Sequence, residues 1–473
     1  MARRFCWLGK KNRPEPTARF LDGVGYKAGK SDTPDKCVSL ELRQDDSRFH
    51  KSRSRMKMFF PRFPSVRFAH MRNSVSWLCL LLLGPGCFAN ECDDHSFKAL
   101  YESHQLFELR EAVNRGGAPI FYQGIVACAF NDLPQCEQKL DRVIKSAPHS
   151  TDARQARTTL AAVYFRSGRF REALSQVDAM LLANPEDAVK EARPLVAALA
   201  KLPHQSVTMR KPSKVPLHAW GEDLAIPFTI NGRPATYAFD TGNFAVMVSQ
   251  SEAKRLELRM YETDADVKVN GLSVHVAIAD RLEVGNFRFK NVAFTVFPDD
   301  QEPFSDMPEG ERGMVGLPTL LAFRNFSWGA DGVFEFDSKL PTSVSEPNVS
   351  FNEQFVLAQV EFRNSKLTFG LDTGGETTSL EPRFAETFAD IVKRFGKKDS
   401  KKVDEIGSSK HVDSVVLPEL EFRVGGLPTV LRPAYILFDG SAGRCHYGSL
   451  GMDLMKQSQR TTIDFESMTL TLR

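Results

Sequence analysis

The sequence predicts a multidomain protein in which an all-α N-terminal region of helical repeats precedes a mainly-β region made of two similar lobes. Three observations predict this fold class. Small and aromatic residues recur at helical spacing through residues 90–205. Short alternating runs with turn residues follow directly, as is typical of β structure. Within them, one strand-and-turn pattern occurs twice. The chain has 473 residues, 42% of them hydrophobic, so it is long enough for two or three packed domains.

The basic charge of the chain lies in its first segment. Residues 1–70 hold 17 Lys and Arg against 7 Asp and Glu, so the overall charge of +3 leaves the remaining chain acidic. That remainder has no basic stripe, which argues against nucleic-acid binding. We expect residues 1–70 to be a non-native leader ahead of a translation start at Met71. The alternative is a disordered cytoplasmic tail ahead of a signal anchor.

Residues 71–89 have the order of a secretory signal peptide. An Arg near Met71 precedes an apolar run over residues 75–83, and Cys87 and Ala89 provide small residues for cleavage before Asn90. The run is too short for a membrane span, which takes roughly 20 residues. We therefore expect an exported protein, periplasmic or secreted, without a stable membrane span.

Four cysteines follow the predicted cleavage site: Cys92, Cys128, Cys136 and Cys445. An oxidising compartment permits a disulfide, and the first three are the most plausible partners because they share the helical region. Free thiols throughout are the alternative. Neither a Cys-x-x-Cys pair nor a histidine cluster has metal-site spacing, so the sequence predicts no metal and no cofactor.

The helical region resembles tetratricopeptide repeats. The positions of that motif are matched by Ala161, Tyr164, Gly168, Phe170, Ala173 and Pro185. A more degenerate unit ends at Pro148. Such helical hairpins need neighbours to bury their faces, so we expect them to stack on each other and on the next domain. The hypothesis for this region is a surface that docks a protein partner or substrate, and the alternative is a plain helical spacer.

The duplicated pattern consists of an apolar strand that ends in Asp-Thr-Gly, followed later by two apolar residues and a glycine. Its residues are Asp240, Thr241, Gly242 and Gly316 in the first copy and Asp372, Thr373, Gly374 and Gly451 in the second. Each glycine landmark is followed by a short helix-like run and a hairpin. The matched order predicts a duplication, with the first half at residues 206–340 and the second at residues 341–473.

This constellation resembles the retropepsin-like aspartic peptidases, and residues 372–380 align with the retroviral motif without a gap. The resemblance implies two closed, barrel-like halves that each contribute one Asp to an active site at a two-fold interface. It makes Asp240 and Asp372 the catalytic pair. It also implies that the two threonines interlock by hydrogen bonds, that Gly242 and Gly374 allow close approach to the carboxylates, and that the later glycines lie behind the aspartate loops.

The chemistry explains why two copies are present. Hydrolysis of an amide needs a base to activate water and an acid to protonate the substrate, and two adjacent carboxylates that share one proton supply both, as aspartic proteases do in general. We expect Asp240 and Asp372 to meet within one chain. Pairing across a dimer is the alternative.

The family covers its site with β-hairpin flaps. The candidates are Asn270 and Gly271 in the first half and Gly407 and Ser408 in the second. The sequence departs from the family directly after each Asp-Thr-Gly, where Asn243 and Gly375 replace the usual Ala, Ser or Thr. We expect an exported aspartic endopeptidase acting on polypeptide. The alternatives are a non-catalytic peptide binder on the same fold, or a scaffold whose repeats bind a partner.

Overall fold

The computed structural model describes residues 94–220, 223–262, 266–269, 271–301, 303–305, 307–338, 346–405, 408–438 and 446–473, with the side chains of residues 94–96, 223, 404, 405, 408 and 409 excepted. All of these residues belong to one compact unit. The predicted leader and signal peptide lie outside them, as do Cys92 and Cys445. No helix of the described part is long and apolar enough to cross a membrane.

The described part of residues 90–205 is helical, as predicted. Its α-helices are α1 (Asp94–Glu102), α2 (Leu106–Asn114), α3 (Ile120–Ala129), α4 (Leu133–Ser146), α5 (Thr151–Arg166), α6 (Phe170–Ala183) and α7 (Arg193–Ala200), with a 3₁₀ helix at Ala188–Glu191. The Ser150 hydroxyl caps α5 by accepting a hydrogen bond from the Ala153 N–H. Gly168 turns the chain between α5 and α6 with a φ of +72°, which suits glycine. A disulfide joins Cys128 of α3 to Cys136 of α4.

The first β half contains the following strands and helices: β1 (Ser206–Met209), β2 (Ser213–Pro216), β3 (His218–Trp220), β4 (Asp223–Ile230), β5 (Arg233–Phe239), β6 (Val246–Ser249), α8 (Gln250–Arg255), β7 (Arg259–Tyr261), β8 (Val267–Val269), β9 (Leu272–Val284), β10 (Phe287–Phe297), β11 (Gly313–Val315), α9 (Leu317–Ala322), β12 (Asn325–Gly329) and β13 (Val333–Phe336). The predicted hairpin turn lies at Asn231 and Gly232, which both have positive φ, as a tight two-residue turn requires.

The second β half contains these elements: β14 (Val349–Asn352), β15 (Phe355–Phe362), β16 (Ser365–Leu371), β17 (Ser379–Leu380), α10 (Pro382–Thr387), α11 (Ala389–Phe395), β18 (Lys397–Glu405), β19 (Ser408–Leu417), β20 (Leu420–Val424), β21 (Leu427–Leu431), β22 (Ala434–Leu437), β23 (Gly448–Leu450), α12 (Met452–Met455), β24 (Arg460–Asp464) and β25 (Thr469–Leu472). The mainly-β character predicted for both halves is confirmed.

The two halves repeat one topology. The first sheet contains the strand order β10-β6-β11-β5-β4, and the second contains β22-β17-β23-β16-β15. In each sheet the strand that leads into an Asp pairs in parallel with the strand that leads into a landmark glycine, Phe239 opposite Val315 and Leu371 opposite Leu450. The spacing in the sequence therefore corresponds to a structural repeat.

A third sheet joins the halves, and the sequence did not predict it as a shared element. Its order is β2-β13-β12-β24-β25, so it takes three strands from the first half and two from the second. Strands β12 and β24 pair across the boundary, from Asn325 opposite Asp464 to Gly329 opposite Arg460. The predicted C-terminal hairpins of the two halves, β12 with β13 and β24 with β25, are thus adjacent parts of one sheet.

The core is aromatic where it supports the first Asp loop. The Phe239 ring packs against Trp328 at 5.3 Å and against Phe334 at 4.9 Å between ring centroids. Both partners lie in the shared sheet and are buried. Since Phe239 directly precedes Asp240, this packing fixes the end of β5.

The helical region packs on the second half through a buried cation. Arg166 at the end of α5 donates hydrogen bonds to the carbonyl oxygens of Glu353 and Cys128, and its guanidinium lies 3.9 Å from the Phe351 ring centroid. Burial lowers the pKa of Arg166 to about 9. The helices are therefore stacked on the β region, as the need to bury their faces predicts.

Candidate active site

The two aspartates lie at equivalent strand ends. The Asp240 N–H donates to the Val315 carbonyl at 2.9 Å, and the Asp372 N–H donates to the Leu450 carbonyl at 3.0 Å. Each bond continues the parallel pairing that precedes it. Both backbones therefore leave their sheets in the same way, and both turns point to the junction of the halves.

The threonines interlock across that junction. The Thr241 hydroxyl donates to the Leu371 carbonyl at 2.6 Å and accepts from the Thr373 N–H at 3.1 Å. The Thr373 hydroxyl does the reverse, donating to the Phe239 carbonyl at 2.8 Å and accepting from the Thr241 N–H at 3.0 Å. Both side chains are buried. Four hydrogen bonds with two-fold symmetry thus tie the two turns together within one chain.

This interlock brings the two carboxyl groups into contact. Asp240 is only 7% exposed, and its carboxyl is hydrogen-bonded to that of Asp372. The Gly242 N–H donates to Asp240 Oδ1 at 2.7 Å, and the Gly374 N–H donates to Asp372 Oδ1 at 3.1 Å. Two acidic groups in hydrogen-bond contact, each held by its own turn, share a proton rather than ionise together.

Close approach explains the glycines at these turns. A Cβ on Gly374 would come 2.6 Å from Asp240 Oδ2, so a side chain there would displace the carboxyl pair. A Cβ on Gly316 would come 2.5 Å from the Asn243 carbonyl, and one on Gly451 would come 2.6 Å from the Thr377 carbonyl carbon. The two landmark glycines therefore lie against the backs of the aspartate loops.

Burial raises the pKa of both carboxyl groups. For Asp240 the Asp372 charge adds to burial and the pKa is well above its usual range, although the Gly242 N–H acts in the opposite direction. For Asp372 burial raises the pKa, while hydrogen bonds from Asp240 and from the N–H groups of Gly374 and Gly375 oppose it. The pKa values of both carboxyl groups are thus raised by burial, and the shared proton belongs to the pair rather than to either residue.

The residues after Asp-Thr-Gly make the two turns unequal. Asn243 is buried, its Oδ1 accepts from the Ala245 N–H at 3.3 Å, and its Nδ2 has no hydrogen-bond partner among the described residues. Gly375 has no side chain, and a Cβ there would come 3.1 Å from Asp372 Oδ2. Neither position supplies a side-chain donor to the carboxyl pair within the described structure, so the backbone N–H groups carry that role.

The structure places only part of the flap candidates. Strand β8 pairs with the start of β9, and Gly271 lies in the connecting turn with a φ of +80°. Strands β18 and β19 form the corresponding hairpin of the second half, and Ser408 is the first residue of β19. Asn270 and Gly407 lie outside the described residues, as does the side chain of Ser408.

Sequence reasoning missed Asp453, which braces the second turn. Its Oδ1 accepts from the Thr378 N–H at 2.9 Å and from the Thr378 hydroxyl at 2.6 Å. That hydroxyl in turn accepts from the Gly451 N–H at 2.9 Å. The signal was present, since Asp453 stands two residues after the landmark glycine. Pro318 holds the equivalent position in the first half, so the brace is not duplicated.

Residues 226–319 match a family model described as aspartyl protease, a stretch that includes Asp240 and Gly316. This match confirms the resemblance inferred from the duplicated motif. No curated protein sequence matches the chain.

Solved structures similar to the chain include two aspartic peptidases. A retropepsin-like aspartic protease from Rickettsia conorii is 16% identical, with a TM-score of 0.21, over 28% of this chain and 95% of its own. An aspartic proteinase from Irpex lacteus is 11% identical, with a TM-score of 0.36, over 55% of this chain and 96% of its own.

The first prediction concerns the interlock. Thr241→Val should lower the free energy of unfolding by roughly 2 to 5 kcal/mol, because it leaves the Leu371 carbonyl and the Thr373 N–H buried without their partners. Urea unfolding followed by tryptophan fluorescence measures this, since Trp220 and Trp328 both lie in the β region.

Thr319→Val is the matched control. The Thr319 hydroxyl is buried and has no partner among the described residues, so its removal should leave stability unchanged or slightly higher. Equal losses for both variants would contradict a special role for the interlock.

The second prediction concerns pH. The folded chain keeps the Asp240 proton at pH values where the unfolded chain has released it, so this group's contribution to stability is largest in acid and falls as pH rises above the unfolded pKa. Asn does not ionise, so Asp240→Asn removes this fall in stability with rising pH. In urea unfolding, the variant should therefore gain stability relative to the unmodified chain between about pH 4 and pH 7. Thr319→Val, which removes no titratable group, should show no such trend. Parallel stability curves for Asp240→Asn and the unmodified chain would refute the raised pKa.

Proposed function

We propose that this chain, whose residues 226–319 match the aspartyl protease family, is an exported aspartic endopeptidase that hydrolyses polypeptide with a water activated by Asp240 and Asp372. The observation that carries the proposal is the pair of hydrogen-bonded carboxyl groups held by the threonine interlock. Burying two acidic groups side by side destabilises the folded protein. The pair is explained if its shared proton serves as both acid and base in hydrolysis.

The proposed reaction uses the one proton that the two carboxyl groups share. The ionised member of the pair accepts a proton from a water molecule as the water oxygen attacks the peptide carbonyl carbon, and the protonated member donates its proton to the carbonyl oxygen, giving a tetrahedral diol. As the diol collapses and the C–N bond breaks, the carboxyl group that took the water proton gives it to the leaving nitrogen. The other carboxylate takes a proton from a diol hydroxyl, so the pair regains its single shared proton. The pair is supported for this by the N–H groups of Gly242 and Gly374.

Pairing within one chain forms part of the proposal. Both turns belong to the same chain, and the shared sheet of β2, β13, β12, β24 and β25 holds the halves together beside them. A second copy is therefore not needed to complete the carboxyl pair.

Export is supported by two observations. Residues 71–89 have signal-peptide order, and the Cys128–Cys136 disulfide is of a kind that persists in oxidising compartments. We expect residues 71–473, expressed in a bacterial host, to be recovered from the periplasm or medium with Asn90 as the first residue by N-terminal sequencing. Leu81→Arg, which interrupts the apolar run, should retain the protein in the cytoplasm. Recovery of the unmodified chain from the cytoplasm alone, uncleaved, would contradict export.

A second candidate function is peptide binding without catalysis, with the helical repeats contributing a partner surface. It is favoured by Asn243 and Gly375, which differ from the small residues usual in the family and leave the carboxyl pair without a side-chain donor among the described residues.

Cleavage of an unstructured protein distinguishes the two. Residues 90–473 should cleave reduced and alkylated casein within the range from about pH 3 to about pH 8, and pepstatin should suppress the cleavage. Asp240→Asn and Asp372→Asn should each lower the rate about a hundredfold or more, because each removes one half of the acid and base pair. Asp152→Asn should leave it unchanged. Absence of cleavage by a folded protein at every pH, with casein still bound, would favour the binding function.

A further inference from the structure

We propose that the helical region is a fixed part of the peptidase rather than a separate docking arm, and that Leu199 and Phe170 are positioning residues for the candidate flap of the first half. The effect on substrate binding rests on the proposed function, but the contact between α7 and the hairpin can be measured without any cleavage.

The first observation is the buried face of the flap hairpin. Val267 and Val269 of β8 are 1% and 9% exposed and Val274 of β9 is 3% exposed, whereas Lys268 between the first two is exposed. The hairpin therefore has one apolar face and one solvent face. Its apolar face belongs to a cluster that also contains Ala198 and Leu199 of α7.

The same cluster contains the outer face of the sheet that carries Asp240. Ala238 of β5 and Met314 of β11 lie opposite each other in the parallel pair that leads to Asp240, and both are buried. The equivalent pair of the second half is Gly370 and Ser449, which are partly exposed. The helices thus cover the back of the first half, and the second half presents small and polar residues at the matching position.

An aromatic contact joins this cover to the aspartate loop. Phe165 at the end of α5 lies 5.5 Å from Phe170 of α6 and 5.5 Å from Phe244, which stands four residues after Asp240. Phe170 is a buried member of the α7 cluster. One group of helical side chains therefore contacts the cluster that holds the flap and also packs on the loop that carries the carboxyl group.

The connection between the regions leaves no free linker. The His204 carbonyl accepts from Asn291 Nδ2 at 3.2 Å, and Gln205 Nε2 donates to the Pro318 carbonyl at 3.4 Å. Strand β1 then follows at once and pairs with β10. A helical region tied down at its last residues and packed through α7 cannot swing away to present a partner to the site.

The outer strand of the second-half hairpin is more exposed. Strand β18 pairs with β19 alone among the described strands, as β8 does with β9, but residues 397–400 are exposed where Val267 and Val269 are buried. The outer strand of the first-half hairpin therefore has an apolar face for α7 to hold, and residues 397–400 of β18 have none.

Hydrogen–deuterium exchange on residues 90–473 tests this. In the unmodified protein, amides of the described residues within 267–276, Asn270 excluded, should exchange at least about tenfold more slowly than those of residues 397–405. Leu199→Ala should speed exchange in residues 267–276 about tenfold and leave residues 397–405 unchanged. Leu140→Ala is the matched control, since Leu140 is an equally buried leucine of the helical region in a separate cluster. Leu140→Ala should leave the exchange rates of residues 267–276 unchanged. Leu199→Met, which keeps a large apolar side chain at this position, should exchange as slowly as the unmodified protein.

Peptide cleavage provides the functional readout. Loosening the flap adds an ordering cost at substrate binding, so Leu199→Ala should raise KM about tenfold with a smaller change in kcat. Fast exchange of residues 267–276 in the unmodified protein, or a Leu199→Ala hairpin that exchanges as slowly as before, would overturn the proposal. An inactive protein with the predicted exchange pattern would instead refute the peptidase function and leave the α7 contact standing.

Discussion

The site depends on one reciprocal set of hydrogen bonds, in which each threonine hydroxyl donates to the strand of the other half and accepts an N–H from the opposite turn. The interlock holds the two carboxyl groups face to face, although two acidic side chains in a buried setting tend to separate. The interlock fixes the backbone of both Asp-Thr-Gly turns without using the carboxyl groups. Their proximity is then a consequence of backbone geometry, and the shared proton is a consequence of their proximity.

The support for this contact is unequal in the two halves. In the first half, aromatic packing of Phe239 and the helical cover over Ala238 hold both faces of the strand that ends at Asp240. In the second half, the Asp453 carboxylate and the Thr378 hydroxyl brace the turn by hydrogen bonds instead. A duplicated motif is thus stabilised by apolar packing in the first half and by a polar network in the second.

Much of this arrangement could be predicted from the sequence because it is local or repeated. Asp-Thr-Gly after an apolar strand, and the glycines that recur behind it, are read directly from residue order, since only glycine tolerates such close contacts. The shared five-stranded sheet could not be predicted, because pairing between β12 and β24 joins residues far apart in sequence and both strands read as ordinary hairpin strands. The stacking of the helices on the next domain was predicted, but the β residues that they cover could not be. Ala238 and Met314 look like core residues in any setting, and only the fold shows that their neighbours are helices.

The shared sheet also has a consequence for the order of assembly. Its pairing of β12 with β24 joins strands of different halves, and β25 continues the sheet beside β24. During synthesis from the N-terminus, the first half therefore lacks these partner strands until β24 and β25 of the second half have been made. The two aspartate turns, which are tied to each other across this junction, can be locked together only when both halves are present in the growing chain.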